Sequence, residues 1–510
     1  MTEDRRTRRR FTLLVTVGSA IYLYLVLFTL KGIPFLLNGD QVYFWTFGLR
    51  MLQGERIYRD FFTMHPPGAD LFYAAMFALF GSHIWVTNFS VLVLGVALSW
   101  LCFKVAAQIM DTRLALLAAA LFLVPLYGKL LNGTHHWFSV FAVMAAVAIC
   151  MPDINNRRIA AAGALLGAAT FFTQTRGPFA LIAFAAFLLW NKFRSKESWP
   201  RLLQSQALLF VSFLAALALL SSYFIATIGL KQLWYFQVTY VHEHLLGSFG
   251  AMSLGLPDNL NWQKLPFFGR YFGLGQYLFV YGLLLVIYPL VLWLAMRDRH
   301  GKTGRNWRPI ILMALVGFCL FAEVAISVNW LRIFVVSMPG IILLAWLLDS
   351  PAKFRRCAVV FLWCVVVCMA LMQVGVKQFR PSIVTNLPAG RAMVKPQVFE
   401  KLDWIAQHTK PEDLFFQAGW TDVYLPLRLR NPVFLDMLTT VQSSPEYVDL
   451  AIRQLDAKRV RYVLWQPRFD SPDPLYPPQL YQLQSFRDYL HAHYHRVRSF
   501  SDQDELWERN

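Results

Sequence analysis

The chain has 510 residues, 57% hydrophobic, 16% aromatic and only 15% charged, with a formal net charge of +18. Soluble domains carry about a quarter charged residues, so an ordinary soluble protein is excluded and a polytopic α-helical membrane protein is expected. The positive charge would suit nucleic acid, but much of it sits in short loops between apolar runs, where membrane topology accounts for it, so no nucleic-acid partner is expected.

A bilayer takes about 20 residues of helix. Candidate spans lie at 11–37, 84–109, 113–130, 135–151, 159–173, 177–191, 204–228, 272–296, 309–328, 331–349 and 357–375. This predicts about eleven transmembrane helices, the first of them uncleaved because it is too long for a signal-peptide core. Basic residues set the orientation. The N-terminus carries Arg5, Arg6, Arg8, Arg9 and Arg10, and basic clusters recur at 157–158, 192–201, 297–308 and 353–356. All fall on one side if the N-terminus is cytoplasmic. An odd number of spans then puts the tail on the outer face. The expected division is a membrane module, 1–375, and a small extracytoplasmic α/β domain, 376–510.

Two outer loops are long, 38–83 and 229–271. The first opens at Asp40, then runs through an apolar stretch, 42–52, too short to span and suited to an interfacial helix. His65-Pro66-Pro67-Gly68 must interrupt helix, because proline lacks a donor and restrains the residue before it. A second short apolar helix is expected at 69–80. The other loop, rich in aromatics (Trp234, Tyr235, Phe236, Tyr240), reads as a partly ordered lid at the membrane surface. In the tail, helices are expected at 396–408, 445–458 and 480–493, and strands at 414–417, 433–436, 460–465 and 494–500. None of the six cysteines lies in that region, so no disulfide framework or cysteine-type zinc site is indicated there.

Carboxylates at membrane boundaries are costly when buried and point to function. Asp40 suits a general base taking a proton from an acceptor hydroxyl, and equally an N-cap for the helix that follows. Asp60, beside Arg59, suits a local ion pair. Asp70 suits a helix boundary. Arg176, in Thr173-Gln-Thr-Arg-Gly-Pro178, and Arg332, in Asn329-Trp-Leu-Arg332, sit in short outer turns. There a guanidinium can bind a phosphate bidentately or snorkel to headgroups. Arg59 and His65 would add to that field, and Lys129 more weakly. His135 and His136 begin a span at the outer face, where they suit substrate contact; adjacent on a helix, they are poor joint ligands for one metal. Midplane regions are largely apolar, Glu323 being the main exception.

Asp40 after the first span, Tyr58-Arg-Asp-Phe-Phe with His65-Pro-Pro-Gly, Arg176-Gly-Pro, and Arg332 followed by Pro339 together resemble the GT-C membrane glycosyltransferases. The nearest resemblance is to the protein O-mannosyltransferase and lipid A aminoarabinose or galacturonosyl transferase group. It extends over the whole layout of spans, outer loops and tail. Two departures stand out: Gln41 and His65 occupy positions where many relatives have glutamate and lysine.

The resemblance implies a polyprenyl-phosphate-sugar donor and a glycolipid, glycan or protein acceptor. Transfer would be direct and inverting at the outer face, with membrane lipids as further partners and with no nucleotide cofactor and no divalent metal indicated. It implies Asp40 as catalytic base and Arg176, Arg332, Arg59 and His65 around the donor phosphate, with Asp60, His135 and His136 as further substrate contacts. A polytopic transporter or lipid flippase is the alternative. It would show internal repeats and ionisable sites near the midplane.

Overall fold

The computed structural model describes residues 2–245, 282–298, 306–325, 330–349, 353–436, 438–439, 443–472 and 481–510. Six of the described helices are long and apolar enough to cross a membrane: Arg6–Leu27, Ile84–Ala106, Thr112–Leu130, Trp199–Ile228, Trp307–Val324 and Arg355–Phe379. Shorter apolar helices, among them His135–Cys150 and Met338–Leu347, pack among them. The chain is a multi-pass membrane protein.

Membrane helices associate by close packing rather than by hydrophobic burial, so small residues sit at their crossings. Helix Asn156–Phe172 meets Trp199–Ile228 in this way. A Cβ on Gly163 would stand 2.4 Å from the Leu209 carbonyl oxygen, and one on Gly167 2.4 Å from that of Phe213.

The first helix stops at Leu27, well short of the expected 37. Gly32, at φ +77°, turns the chain, and Phe28 then pairs with Pro34 across an antiparallel bridge. The last carbonyls of a helix need partners. Gln378 Nε2 donates to the Leu25 and Phe28 carbonyls at 2.6 and 2.8 Å, and Asn88 Nδ2 donates to those of Leu27 and Phe35 at 2.7 and 2.9 Å. The expected span at 331–349 is two helices, Trp330–Val336 and Met338–Leu347, broken at Ser337 just ahead of Pro339. The expected outer loop 38–83 does hold two short helices, Gln41–Leu52 and Gly68–Phe80.

The last long helix runs on to Phe379, and the tail begins with a hairpin, β1 (Ile383–Leu387) and β2 (Gly390–Val394), that the sequence reading missed. Met393 of β2 exchanges backbone hydrogen bonds with Pro34 and Leu36 at 2.8 and 2.9 Å, which ties the tail to the end of the first helix. Beyond it, β3 (Phe415–Gln417), β4 (Tyr462–Trp465), β5 (Tyr494–Ser499) and β6 (Glu505–Arg509) form a sheet of order β3-β4-β6-β5. The β3–β4 pair is parallel and the others antiparallel. Helices Pro396–His408, Pro445–Ala457 and Gln484–His493 complete an α/β domain.

The strand expected at 433–436 is not one. Its backbone is committed singly: the Val433 carbonyl accepts from Arg50, the Phe434 carbonyl accepts from the Phe62 amide at 2.7 Å, and the Phe434 amide donates to Gln454. It straps the tail onto the first outer loop.

Candidate active site

Gly39, at φ +93°, makes the turn that delivers Asp40 to the start of helix Gln41–Leu52. Asp40 holds the N-cap position but makes no side-chain capping bond. Among the described residues its carboxylate has neither hydrogen bond nor ion pair. The carboxylate is itself open, yet recessed in surrounding protein. Desolvation raises its pKa above the ordinary value, and the charge of nearby Arg332 works in the opposite direction. The helix behind it is fixed to the tail: the Tyr43 hydroxyl donates to the Gly419 carbonyl at 3.0 Å, and Thr46 donates to that of Thr421 at 3.3 Å.

Arg176 starts helix Arg176–Ser195 and is wholly buried, so it does not reach out to headgroups. Its Nε donates to Glu323 Oε2 at 3.0 Å, and Thr175 Oγ1 donates to the other oxygen at 2.6 Å. Both terminal guanidinium nitrogens lack a hydrogen-bond partner among the described residues. A buried donor left unmade costs about 1–3 kcal/mol, and two on one planar fork match the geometry of a phosphate or carboxylate. Arg332, on helix Trp330–Val336, interacts electrostatically with Asp40, Glu323 and Arg176. The sequence marks Glu323 only as an ionisable exception toward the outer part of an apolar span; its role as the partner of Arg176 is visible only in three dimensions.

His65 and His135 pack beside this cluster with their rings tilted, centroids 4.5 Å apart, and with Phe44 at 5.8 and 5.2 Å. His135 Nδ1 pairs with Thr173 Oγ1 at 2.9 Å, and the adjoining His136 leaves Nδ1 buried without a partner among the described residues. Burial, assisted by Arg332, pushes His65 down to about 4. It therefore brings no positive charge to a phosphate near neutral pH; what it offers is a neutral imidazole. Its position is held by Tyr58, a non-glycine residue in the left-handed region at φ +65°. The Tyr58 hydroxyl donates to the His65 carbonyl and accepts from Gln237 at 3.0 Å. Such strain persists only where surrounding structure over-determines it. Here Gln237 belongs to a π-helical turn, Tyr235–Thr239. The first part of the expected lid is thus packed against the first loop, Phe236 and Tyr240 being buried; residues 246–281 lie outside those described.

Arg59 and Asp60 are elsewhere. Arg59 spends its guanidinium on Asp60, at 2.8 Å from Nε and 2.7 Å from Nη2, at an exposed position. Both line a separate cavity of about 520 Å³ with Arg50, Tyr447 and Lys458, and none of Asp40, His65, Arg176 or Arg332 lines it. Asp70, expected as a boundary residue, is completely buried with both oxygens unpartnered among the described residues.

Residues 64–212 match the family model described as dolichyl-phosphate-mannose-protein mannosyltransferase. That segment holds His65, His135, His136 and Arg176, but not Asp40 or Arg332. No curated protein matches the chain. Among solved structures, ArnT from Cupriavidus metallidurans bound to undecaprenyl phosphate superposes with a TM-score of 0.58 at 14% identity, covering 97% of each chain. The Archaeoglobus fulgidus oligosaccharyltransferase matches in its apo form at 0.52 and 12% identity, over 90% of this chain and 70% of that one. Its complex with zinc and sulfate matches at 0.51 and 12%, over 90% and 68%. The fold is that of the GT-C membrane glycosyltransferases. Over residues 64–212 the sequence is similar to the protein-mannosyltransferase model, and outside them the likeness is one of fold.

Proposed function

We propose that the protein transfers a sugar from a polyprenyl-phosphate donor to a hydroxyl acceptor, with inversion, at the outer face of a bacterial inner membrane. The N-terminus is cytoplasmic in this reading and the α/β domain extracytoplasmic. The observation that carries it is the pairing of an uncommitted carboxylate, Asp40, with the charge of Arg332, next to a buried Arg176 whose terminal nitrogens are open. The solved ArnT, described as bound to undecaprenyl phosphate, supports a lipid-phosphate donor.

The acceptor oxygen forms a bond to the anomeric carbon while its proton passes to Asp40. The bond from that carbon to the phosphate oxygen breaks, and the electron pair leaves with the lipid phosphate. Charge developing there is stabilised by Arg176 and Arg332, donors fixed in advance of the reaction. Neutral His65 and His135 suit contacts to sugar or phosphate oxygens. The pairing of Glu323 with Arg176 gives that carboxylate a place in the same cluster.

The test uses purified wild type and Asp40→Asn in nanodiscs, with a panel of polyprenyl-phosphate sugars and native membrane lipids. Release of polyprenyl phosphate is followed by mass spectrometry. Release by wild type alone is expected. Equal release by both would remove Asp40 as base, and no release from any donor would overturn the donor class.

A further inference from the structure

Basic residues gather at the end of the membrane module opposite Asp40, and topology alone accounts for such charge. The structure adds a cavity of about 650 Å³ among them. It lies where four helix ends meet: the starts of the first helix and of Trp307–Val324, and the ends of Ile84–Ala106 and His135–Cys150. Leu27, the end of the first helix that leads on to Asp40, is about 25 Å away along the helix axis.

The inner wall of the cavity is apolar, with Leu101, Phe103 and Met151 all buried. Trp100 lines it too but is 38% exposed, so the cavity opens sideways toward lipid, beside the kind of ring that marks the headgroup layer. Lys104, one helical turn on, holds its Nζ 5.8 Å from the centroid of that ring. Arg8 lines the same space from the first helix. Asn306 caps helix Trp307–Val324 by accepting from the Arg308 amide at 3.3 Å, so the positive end of that helix forms part of the wall. No acidic residue is among the described residues that line the cavity. Asp153, just past Pro152 on the rim, stands 3.8 Å from Arg308, which offsets its charge.

We propose that this cavity binds an anionic phospholipid from the leaflet opposite the catalytic site, the cytoplasmic leaflet in the orientation proposed above. The lipid phosphate meets Arg8, Lys104 and the start of helix Trp307–Val324, and its chains leave past Trp100. Two cations, a helix N-terminus and a lining without carboxylates select negative charge. The apolar wall selects a lipid over a soluble anion, which would leave that surface uncovered. The bound lipid joins four helix ends and is neither donor nor acceptor, so the inference does not depend on the reaction assigned to Asp40.

The test uses the full chain in phosphatidylcholine nanodiscs doped with a photoreactive lipid. The probe is phosphatidylglycerol carrying a diazirine high on one acyl chain, or phosphatidylcholine carrying the same group, at equal mole fraction. Labelled peptides are mapped by mass spectrometry. Labelling within residues 100–108 and 148–152 should be about five-fold or more higher with the phosphatidylglycerol probe. The preference should fall to parity in Arg8→Gln/Lys104→Gln and return in Arg8→Lys/Lys104→Arg, which also shows that the cavity still forms. Lys196→Gln/Arg201→Gln removes two exposed cations that do not line the cavity, on the same side of the membrane in the proposed orientation, and should leave the preference intact. Parity in the starting protein, or a preference that survives loss of Arg8 and Lys104, overturns the proposal. So does an equal fall in Lys196→Gln/Arg201→Gln, which would assign the effect to the general surface potential. Labelling needs no turnover, so its outcome is separate from that of the polyprenyl phosphate release assay.

Discussion

Arg176 and Glu323 form an ion pair at 3.0 Å through Nε, which among the described residues is the one guanidinium nitrogen of Arg176 that is engaged. The carboxylate holds the arginine in place within the membrane module, and the open end of the fork remains for a ligand. Arg176→Lys keeps the charge and loses the fork. It should lower polyprenyl phosphate release by roughly 10²-fold, the scale of losing one preorganised donor to a developing anion. Glu323→Ala removes the partner and strands a buried charge, which costs on the order of 3–5 kcal/mol. It should therefore lower the melting temperature more than Arg176→Lys does. Single-turnover assays and thermal unfolding in one detergent separate the two effects.

Asp40→Asn should abolish transfer without harming the fold, because among the described residues the carboxylate makes no bond that asparagine would lose. General-base catalysis is worth roughly 10²–10⁴-fold. The sign of the stability change follows from the raised pKa. The folded state binds the proton of Asp40 more tightly than the unfolded chain, so the ionised carboxylate destabilises the fold above its folded pKa. Asp40→Asn should melt no lower than wild type at pH 7, and any gain should vanish as pH falls below the unfolded value. The same shift sets activity, which should rise with pH as Asp40 ionises. A variant that melts clearly lower at pH 7 would make Asp40 a structural residue.

His65, held down to about 4 by burial and by Arg332, is neutral at working pH. As pH falls below about 6.5 the unfolded chain takes up this proton and the folded one does not, so stability drops until about pH 4. The loss is on the order of 3 kcal/mol. His65→Gln should flatten that part of the stability profile and leave the shape of the pH–rate curve between pH 6 and 8 unchanged. Thermal unfolding from pH 4 to 8 checks the first expectation and donor turnover the second. An activity step near pH 6.5 that the variant lacks would mean that His65 titrates in the working enzyme.

Most of the apolar helices and the two short helices of loop 38–83 were legible because they depend on local signals: apolar run length and proline interruption. What was not legible depends on contacts distant in sequence. Glu323 reads as an anomaly until helix Trp307–Val324 lies against the start of helix Arg176–Ser195. The break at Ser337 is hidden inside a continuous apolar run, and the only local hint is Pro339. The β1–β2 hairpin has strands of five residues each, half exposed, with too short an alternation to stand out. Residues 433–436 mislead in the opposite way: Val-Phe-Leu has strand composition, but its backbone groups are claimed by Arg50, Phe62 and Gln454.

Arg50 joins the first outer loop to that strap. Its Nη1 donates to Asp436 Oδ1 at 2.7 Å and to the Val433 carbonyl at 3.0 Å, and Glu55 takes its other face. Asp436 is fully buried, also accepts from Asn431 at 2.6 Å, and leaves Oδ2 unpartnered among the described residues. Burial outweighs the pull of Arg50, and the carboxyl is pushed up to about 6. Desolvation of a buried pair can exceed its Coulombic gain, and the raised pKa has that meaning here. The folded state prefers Asp436 protonated, so its ionisation costs stability above pH 6, and the cost fades as pH falls toward 3.8. Asp436→Asn keeps an acceptor for Arg50 and removes the buried charge, so it should be nearly neutral at pH 7. Arg50→Met removes the donor to Asp436, to Val433 and to Glu55 together, and should cost on the order of 3–5 kcal/mol. It should also expose the junction near Phe62 and Phe434 to limited proteolysis. Thermal unfolding with a protease ladder measures both; an Asp436→Asn variant as damaged as Arg50→Met would show that the ionised pair, rather than the hydrogen bonds of Arg50, holds the tail to the membrane module.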